Sequence, residues 1–252
     1  MSEEILKKIE FLDFNKFKTL ANDSNLSVNE KIGFLNSDRS GLNEFILEDI
    51  IRKNPSMNKR GSRILDIGSG CGELTELLAK HCIKKKCKLM LIDSKEMLDQ
   101  TKIDVNIDKR AGYFPNDFEE FINKHTNFWD VIIVYSVFHY VLIEGDIYKF
   151  IESALTMLRS GGTLMIGDIP NLSKRNRFFQ SDQGLKYHQE YSKDKSKPEM
   201  KGMSLQDRRF DDGLVFSILM RYRNLGYETY LLPQSEKLSM SNRREDILIK
   251  KL

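Results

Sequence analysis

Three cysteines in 252 residues, Cys71, Cys82 and Cys87, are too few for a disulfide framework in a chain of this length. Cys82 and Cys87 have no second cysteine pair or His-x-x-His to complete a zinc set, so no metal is expected. Five prolines and fifteen glycines exclude a collagenous or Pro/Gly-rich disordered chain. No apolar run approaches the roughly 18 residues a membrane-spanning helix needs. The opening MSEEILKKIEFLDF carries charges where a secretory signal has its apolar stretch. A cytoplasmic protein without a membrane partner is the expectation. An excess of one charge is lacking too: 40 Lys/Arg against 37 Asp/Glu leaves +3, too little to argue for nucleic acid.

The sequence does hold the balance of a soluble globular domain, 40% hydrophobic and 31% charged. Ile5, Ile9, Leu12, Phe17 and Leu20 fall at roughly helical spacing, and a second helix is expected from about Asn43 to Arg52, before Asn54-Pro55. Residues 1–60 therefore read as a helical lid. From Arg63 the pattern changes to short apolar runs alternating with helices. ILDI (64–67), LMLI (89–92), a weak run at Val105–Arg110, DVIIVYS (130–136) and TLMIGD (163–168) read as strands. Helices are expected at Glu73–Lys80, Ser94–Lys102 and Ile147–Leu158, the last stopped by Gly161-Gly162. A late helix near Asp211–Asn224 and strands near Tyr227–Leu232 and Ile247–Lys250 follow. Such alternation argues for an α/β domain with a parallel sheet covered on both faces. It spans residues 61–252, with a patternless insertion at 171–209 that holds ten Lys/Arg against five Asp/Glu.

The first strand runs into Asp66-Ile67-Gly68-Ser69-Gly70-Cys71-Gly72-Glu73 and then a helix. Glycines there let the backbone turn sharply and approach a ligand closely. A dinucleotide loop wants a third glycine where Glu73 stands, and a P-loop wants a Lys-Ser/Thr pair that is absent. What remains is an acid followed by alternating glycines.

ILDIGSGCGELTELLA, LMLIDSKEML, FWDVIIVYSVFHYV and LRSGGTLMIGD, in this order and spacing, resemble the motifs of class I S-adenosylmethionine-dependent methyltransferases. The resemblance covers about residues 60–170 and implies a doubly wound, mostly parallel seven-stranded sheet. It implies S-adenosylmethionine as cofactor, held by Asp66, Gly68, Ser69, Gly70, Gly72, Asp93, Ser94, Gly112, Tyr113, Phe114 and Tyr135. Asp93, closing strand two, suits the two ribose hydroxyls, and Asp66 or the loop carbonyls suit the ammonium. The family often has Gly-Asp after strand three; here Ala111-Gly112-Tyr113-Phe114 leaves the adenine amino group to Asn116, Asp117 or a carbonyl.

For the acceptor, the same resemblance points to the rim beyond strands four and five. An alcohol needs its proton removed during attack, so His139 and Asp168 are the candidate base and its orienting partner, or separate hydroxyl contacts. Tyr140, Lys174, Arg175 and Arg177 are candidate acceptor contacts, the cations suiting a phosphate, nucleotide diphosphate or uronate. Methylation of a hydroxyl on a small anionic saccharide or sugar nucleotide is the leading expectation. An N-methyltransferase on a small amine or amide is the alternative, and a non-catalytic cofactor-binding protein a second.

Overall fold

The computed structural model describes residues 12–34, 41–103, 107–193, 195–200 and 208–252. Ile5, Ile9 and Val105 lie outside them. Helices α1 (Phe14–Asn22), α2 (Val28–Lys31) and α3 (Asn43–Lys53) precede β1 (Arg63–Ile67). Then come α4 (Glu73–Lys85), β2 (Lys88–Asp93), α5 (Lys95–Asp99), β3 (Asp108–Ala111), α6 (Glu119–Lys124) and β4 (Trp129–Tyr135). Helices α7 (Phe138–Glu144) and α8 (Ile147–Met157) lead into β5 (Leu158–Pro170). The chain closes with α9 (Leu172–Gln180), α10 (Asp182–Ser192), α11 (Asp212–Asn224), β6 (Glu228–Pro233) and β7 (Arg244–Lys250).

The seven strands form one sheet in the order β3-β2-β1-β4-β5-β7-β6, parallel except where β7 runs antiparallel to β5 and β6. Successive strand residues face opposite sides, which splits the core in two. Leu65, Ile132, Val134 and Ile166 pack with Phe150, Ile151 and Leu155 of α8 and with Val215, Ile218 and Tyr222 of α11. Ile64, Leu91, Val131, Ile133 and Met165 face the other way, onto Ile46, Leu47 and Ile50 of α3 and Leu78 and Cys82 of α4. Strands buried on both faces explain why the sequence shows continuous apolar runs rather than alternation. Among the described residues no helix is long and apolar enough to cross a membrane.

Three expectations are revised. The N-terminal segment does not act as one lid, because α3 is part of the core layer while α1 and α2 lie elsewhere. Gly161-Gly162 do not stop α8. That helix ends at Met157, Leu158 is already extended, and the glycines sit in an excursion of β5 between Leu158, paired with Trp129, and Thr163, paired with Val131. The left-handed Gly161 (φ +74°) allows that excursion. The described part of the insertion is also not patternless: α9 and α10 are joined by packing of Phe178, Phe179 and Tyr187, with ring centroids 5.1–6.4 Å apart. Aromatic contacts take the place of aliphatic periodicity there.

Helix α3 is tied to strand β7 by charge. Lys53 places its ammonium 2.5 Å from Asp49 and 2.6 Å from Asp246, and all three side chains are buried. Removing the cation leaves two buried carboxylates facing each other. Lys53→Met should therefore cost about 3–5 kcal/mol in urea unfolding at neutral pH. The deficit should shrink on acidification, because Asp246, whose carboxyl burial pushes up and Lys53 holds down, takes up a proton in the folded variant once that cation is gone. A loss under about 1 kcal/mol would show the trio to be dispensable.

Candidate active site

The site is built at the carboxyl ends of β1, β2 and β4, where the sheet order reverses direction between β1 and β4. After β1 the backbone turns through Gly68, at φ +75°, and a Cβ there would lie 2.4 Å from Val137. Any other residue is thus excluded twice, by backbone conformation and by space. At Gly72 a Cβ would meet Ile32 at 2.8 Å, so the bare loop makes room for the N-terminal segment packed against it. Asp93, at the end of β2, braces the loop: its carboxylate accepts from the Gly70 amide at 2.7 Å and from the Ser94 amide at 2.6 Å.

Asp66 has no such support and accepts no hydrogen bond among the described residues. Burial and the neighbouring Asp93 charge push its carboxyl up to about 7. Asp93 itself is pushed up to about 6 by burial, opposed by the two amide hydrogen bonds. Two buried acids side by side, one unsatisfied, form a site short of positive charge and of donors.

They look into a cavity with about 1060 Å³ of open space, the solvent at its mouth included. Its floor is the glycine loop with Asp66, Asp93, Gly112, Tyr113, Phe114 and Tyr135, and Ile92, Met97 and Phe150 fill in around them. Its cover comes from the N-terminal segment: Phe14 and Phe17 of α1, Ile32 and Phe34. Phe14 packs on Tyr113 and Phe17 on Tyr140, each pair with centroids 4.9 Å apart. The Phe14 amide donates to Glu144 at 2.6 Å, and burial raises that carboxyl above the usual range. Asp13 caps α1 by accepting from the Lys16 amide at 2.7 Å, which sets the helix start beside this contact.

Of the residues expected at the cofactor, Asp66, Gly68, Ser69, Gly70, Gly72, Asp93, Gly112, Tyr113, Phe114 and Tyr135 line the cavity. Ser94 does not. Its hydroxyl caps α5, accepting from the Met97 amide at 3.2 Å. Nor do Asn116 and Asp117 reach it. Asn116 accepts from Lys149, and Asp117 accepts from the Tyr113 amide at 2.7 Å, shaping the turn that presents Tyr113. Tyr140 lines the cavity from α7.

The two members of the expected catalytic pair, His139 and Asp168, are set among different neighbours. Asp168 is bound by Ser136, Arg244 and Gln234, and it lines a second, much smaller cleft, with about 310 Å³ of open space including the solvent at its mouth, that shares Phe34 and Tyr135 with the first. His139 lines neither cavity; its ring lies against Tyr140 with centroids 3.9 Å apart. The cations of the insertion are also corrected. Lys174 donates to the Arg244 carbonyl at 2.8 Å and pairs with Glu245; Arg175 donates to the Glu199 carbonyl at 3.2 Å and covers Phe179; Arg177 pairs with Asp212. None lines either cavity, because neighbouring acids, carbonyls and a ring supply their partners. Phe14, Phe17, Ile32, Phe34, Glu144 and Gln234 went unrecognised as site residues. Phe17, on the helical spacing of the N-terminal segment, carried the one usable signal, and it read as part of an ordinary packing face.

The fold is that of class I S-adenosylmethionine-dependent methyltransferases. Residues 64–162 match a methyltransferase domain family. No curated protein matches the sequence. Among solved structures, the plantazolicin methyltransferase BpumL, in complex with a monoazolic desmethylPZN analog and SAH, is similar over 99% of this chain and 100% of its own, with TM-score 0.59 and 16% identity. Phosphoethanolamine N-methyltransferase 1 of Haemonchus contortus superposes on all of this chain and half of its own, with TM-score 0.58 and 14% identity. A SAM-dependent methyltransferase of Aquifex aeolicus covers 94% and 98%, with TM-score 0.50 and 17% identity. The methyltransferase cofactor suits this cavity. An ammonium would find an acceptor in Asp66 and a ribose diol would find one in Asp93, so the residues present fit that group.

The ionisations give this fit a pH dependence. Asp66 and Asp93 must shed protons to receive an ammonium and a diol, so S-adenosylhomocysteine should bind most tightly above about pH 7. Affinity should fall by up to about tenfold per unit as pH drops through the range of 7 to 6, with protons released on binding. Calorimetry in buffers of different ionisation enthalpy reads both effects, and Asp66→Asn should flatten the upper part of the profile. Affinity independent of pH in the wild type would remove these carboxylates from the binding step.

Proposed function

We propose that the protein is an S-adenosylmethionine-dependent methyltransferase acting on a nitrogen of a small, uncharged or cationic acceptor with an apolar frame. The observation that carries this reading is the wall of the large cavity. Its space beyond the cofactor carboxylates is bounded by Phe14, Phe17, Phe34, Tyr113 and Tyr140, with Glu144 as the acid among them. Aromatic faces and a carboxylate favour cations and apolar groups, and among the described residues no Lys or Arg lines either cavity to meet a phosphate or uronate.

Methyl transfer from a sulfonium is an in-line displacement, and holding the acceptor atom on axis supplies much of the rate. An amine needs only to arrive unprotonated. A hydroxyl needs a base in the transition state, and the groups expected to serve, His139 and Asp168, stand outside the large cavity. The amine reading therefore takes precedence over a saccharide hydroxyl. The likeness in fold to a phosphoethanolamine N-methyltransferase and to a plantazolicin methyltransferase accords with it without selecting an acceptor.

A panel of small amines and of hydroxyl compounds, assayed for release of S-adenosylhomocysteine, tests the reading. Turnover is expected with amines, rising with pH as the free amine is formed, and His139→Ala should keep more than about a third of it. Turnover confined to hydroxyl compounds, with His139→Ala or Asp168→Ala slowing it by about 10²–10⁴-fold, would return the assignment to O-methylation. Binding of S-adenosylhomocysteine without turnover of either class would favour a non-catalytic protein.

A further inference from the structure

The second cavity lies beyond Tyr135, between the N-terminal segment and the loop that follows β6, and its walls are mostly apolar: Phe34, Leu42, Ile46, Leu238 and Met240. Against them stands a polar wall of Asp168 and Gln234. Gln234 is 5% exposed, and its amide nitrogen donates to Asp168 at 3.2 Å and to Asp246 at 3.2 Å. Both carboxylates are themselves anchored, Asp168 by Arg244 and Asp246 by Lys53 at 2.6 Å. The Asp168 amide donates to Asp246 at 2.8 Å, which holds Asp168 in its left-handed conformation, φ +61°.

This arrangement fixes which way round the Gln234 amide sits. Its two N–H groups are taken by two carboxylates, and reversing it would set a carbonyl against both. The carbonyl Oε1 is left over. It accepts no hydrogen bond among the described residues, in a side chain about nineteen-twentieths buried that faces a cavity. The surrounding charges balance, Arg244 against Asp168 and Lys53 against Asp246, so the wall offers an acceptor atom without net charge. Anions meet oxygen atoms there, and full cations gain no unpaired counter-charge.

Resting on the methyltransferase reading above, we infer that this cavity is the recognition subsite for the non-reacting end of the acceptor. It takes an uncharged group with an N–H or O–H donor, such as an amide, on an apolar or aromatic frame, and Gln234 is the specificity-determining residue. Asp246 and Lys53 are positioning residues that act through it.

Benzamide and benzoate, alike in shape but opposite at this atom, are suitable probes on the full chain saturated with S-adenosylhomocysteine. Ligand-observed NMR titration should show benzamide binding at least about tenfold more tightly than benzoate. Gln234→Met should abolish that preference while S-adenosylhomocysteine still binds, which reports that the variant is folded. Leu42→Trp, which narrows the cavity without touching the polar wall, should weaken benzamide by a similar factor, so the proposal stays testable if the Gln234 variant fails to fold. Equal binding of the two probes, no binding of benzamide, an unchanged preference in a folded Gln234→Met, or undiminished benzamide affinity in a folded Leu42→Trp would overturn the subsite. Those outcomes with S-adenosylhomocysteine bound leave the methyltransferase reading standing, whereas a wild type that binds no S-adenosylhomocysteine sinks that reading itself.

Discussion

Two carboxylates buried at the ends of neighbouring parallel strands set the terms for the rest of this molecule. Asp66 and Asp93 raise each other's cost of ionisation, and the protein supplies hydrogen bonds to Asp93 alone. Burying one unsatisfied acid beside another is unfavourable for a folded chain, so the arrangement makes sense as a receptacle for a molecule bearing positive charge and donors. The parallel sheet makes the placement possible, since it brings β1 and β2 into register with Asp66 opposite Leu91 and Asp93 closing the strand. The bare glycine loop then lets the guest lie against the main chain, and the hydrophobic layers hold this polar edge rigid.

A second electrostatic construction answers a different need. Lys53, Asp246, Gln234, Asp168 and Arg244 run from α3 through β7 to β5, alternating charge so that each carboxylate has a cation beside it. Where the first pair of acids is left short, this chain is satisfied except at one amide oxygen. The contrast separates a place that accepts charge from one that reads shape and hydrogen bonding.

How much of this was legible in the sequence follows from what makes each feature local. The strands of the sheet centre showed themselves because residues such as Ile64, Leu65, Val131 and Ile132 are buried whichever face they take. The floor of the cavity was legible because the turn after β1 needs its glycines within one short run. Its cover was not: Phe14, Phe17 and Ile32 reach the loop through tertiary packing that no nearby residue records. The basic insertion misled for a related reason. Charge counts register Lys174, Arg175 and Arg177 but not the acids and carbonyls that the fold brings to them from β7, α11 and residue 199. Gln234 sits in a connection without pattern, and its importance arises from two carboxylates whose presence beside it depends on the sheet order.

The way the cavity is roofed has a consequence for how such a chain can change over time. The hydrogen bond that pins the start of α1 to Glu144 is made by main-chain N–H, which every residue except proline provides. The rings of Phe14 and Phe17 meet tyrosines edge-on or tilted, contacts that another bulky side chain can replace. The floor has no such latitude, since Gly68 admits no other residue and the acids cannot be moved along their strands. Roof and floor therefore differ in the substitutions they tolerate while enclosing the same space. That accords with a family match that begins at residue 64 and passes over everything that closes the cavity from above.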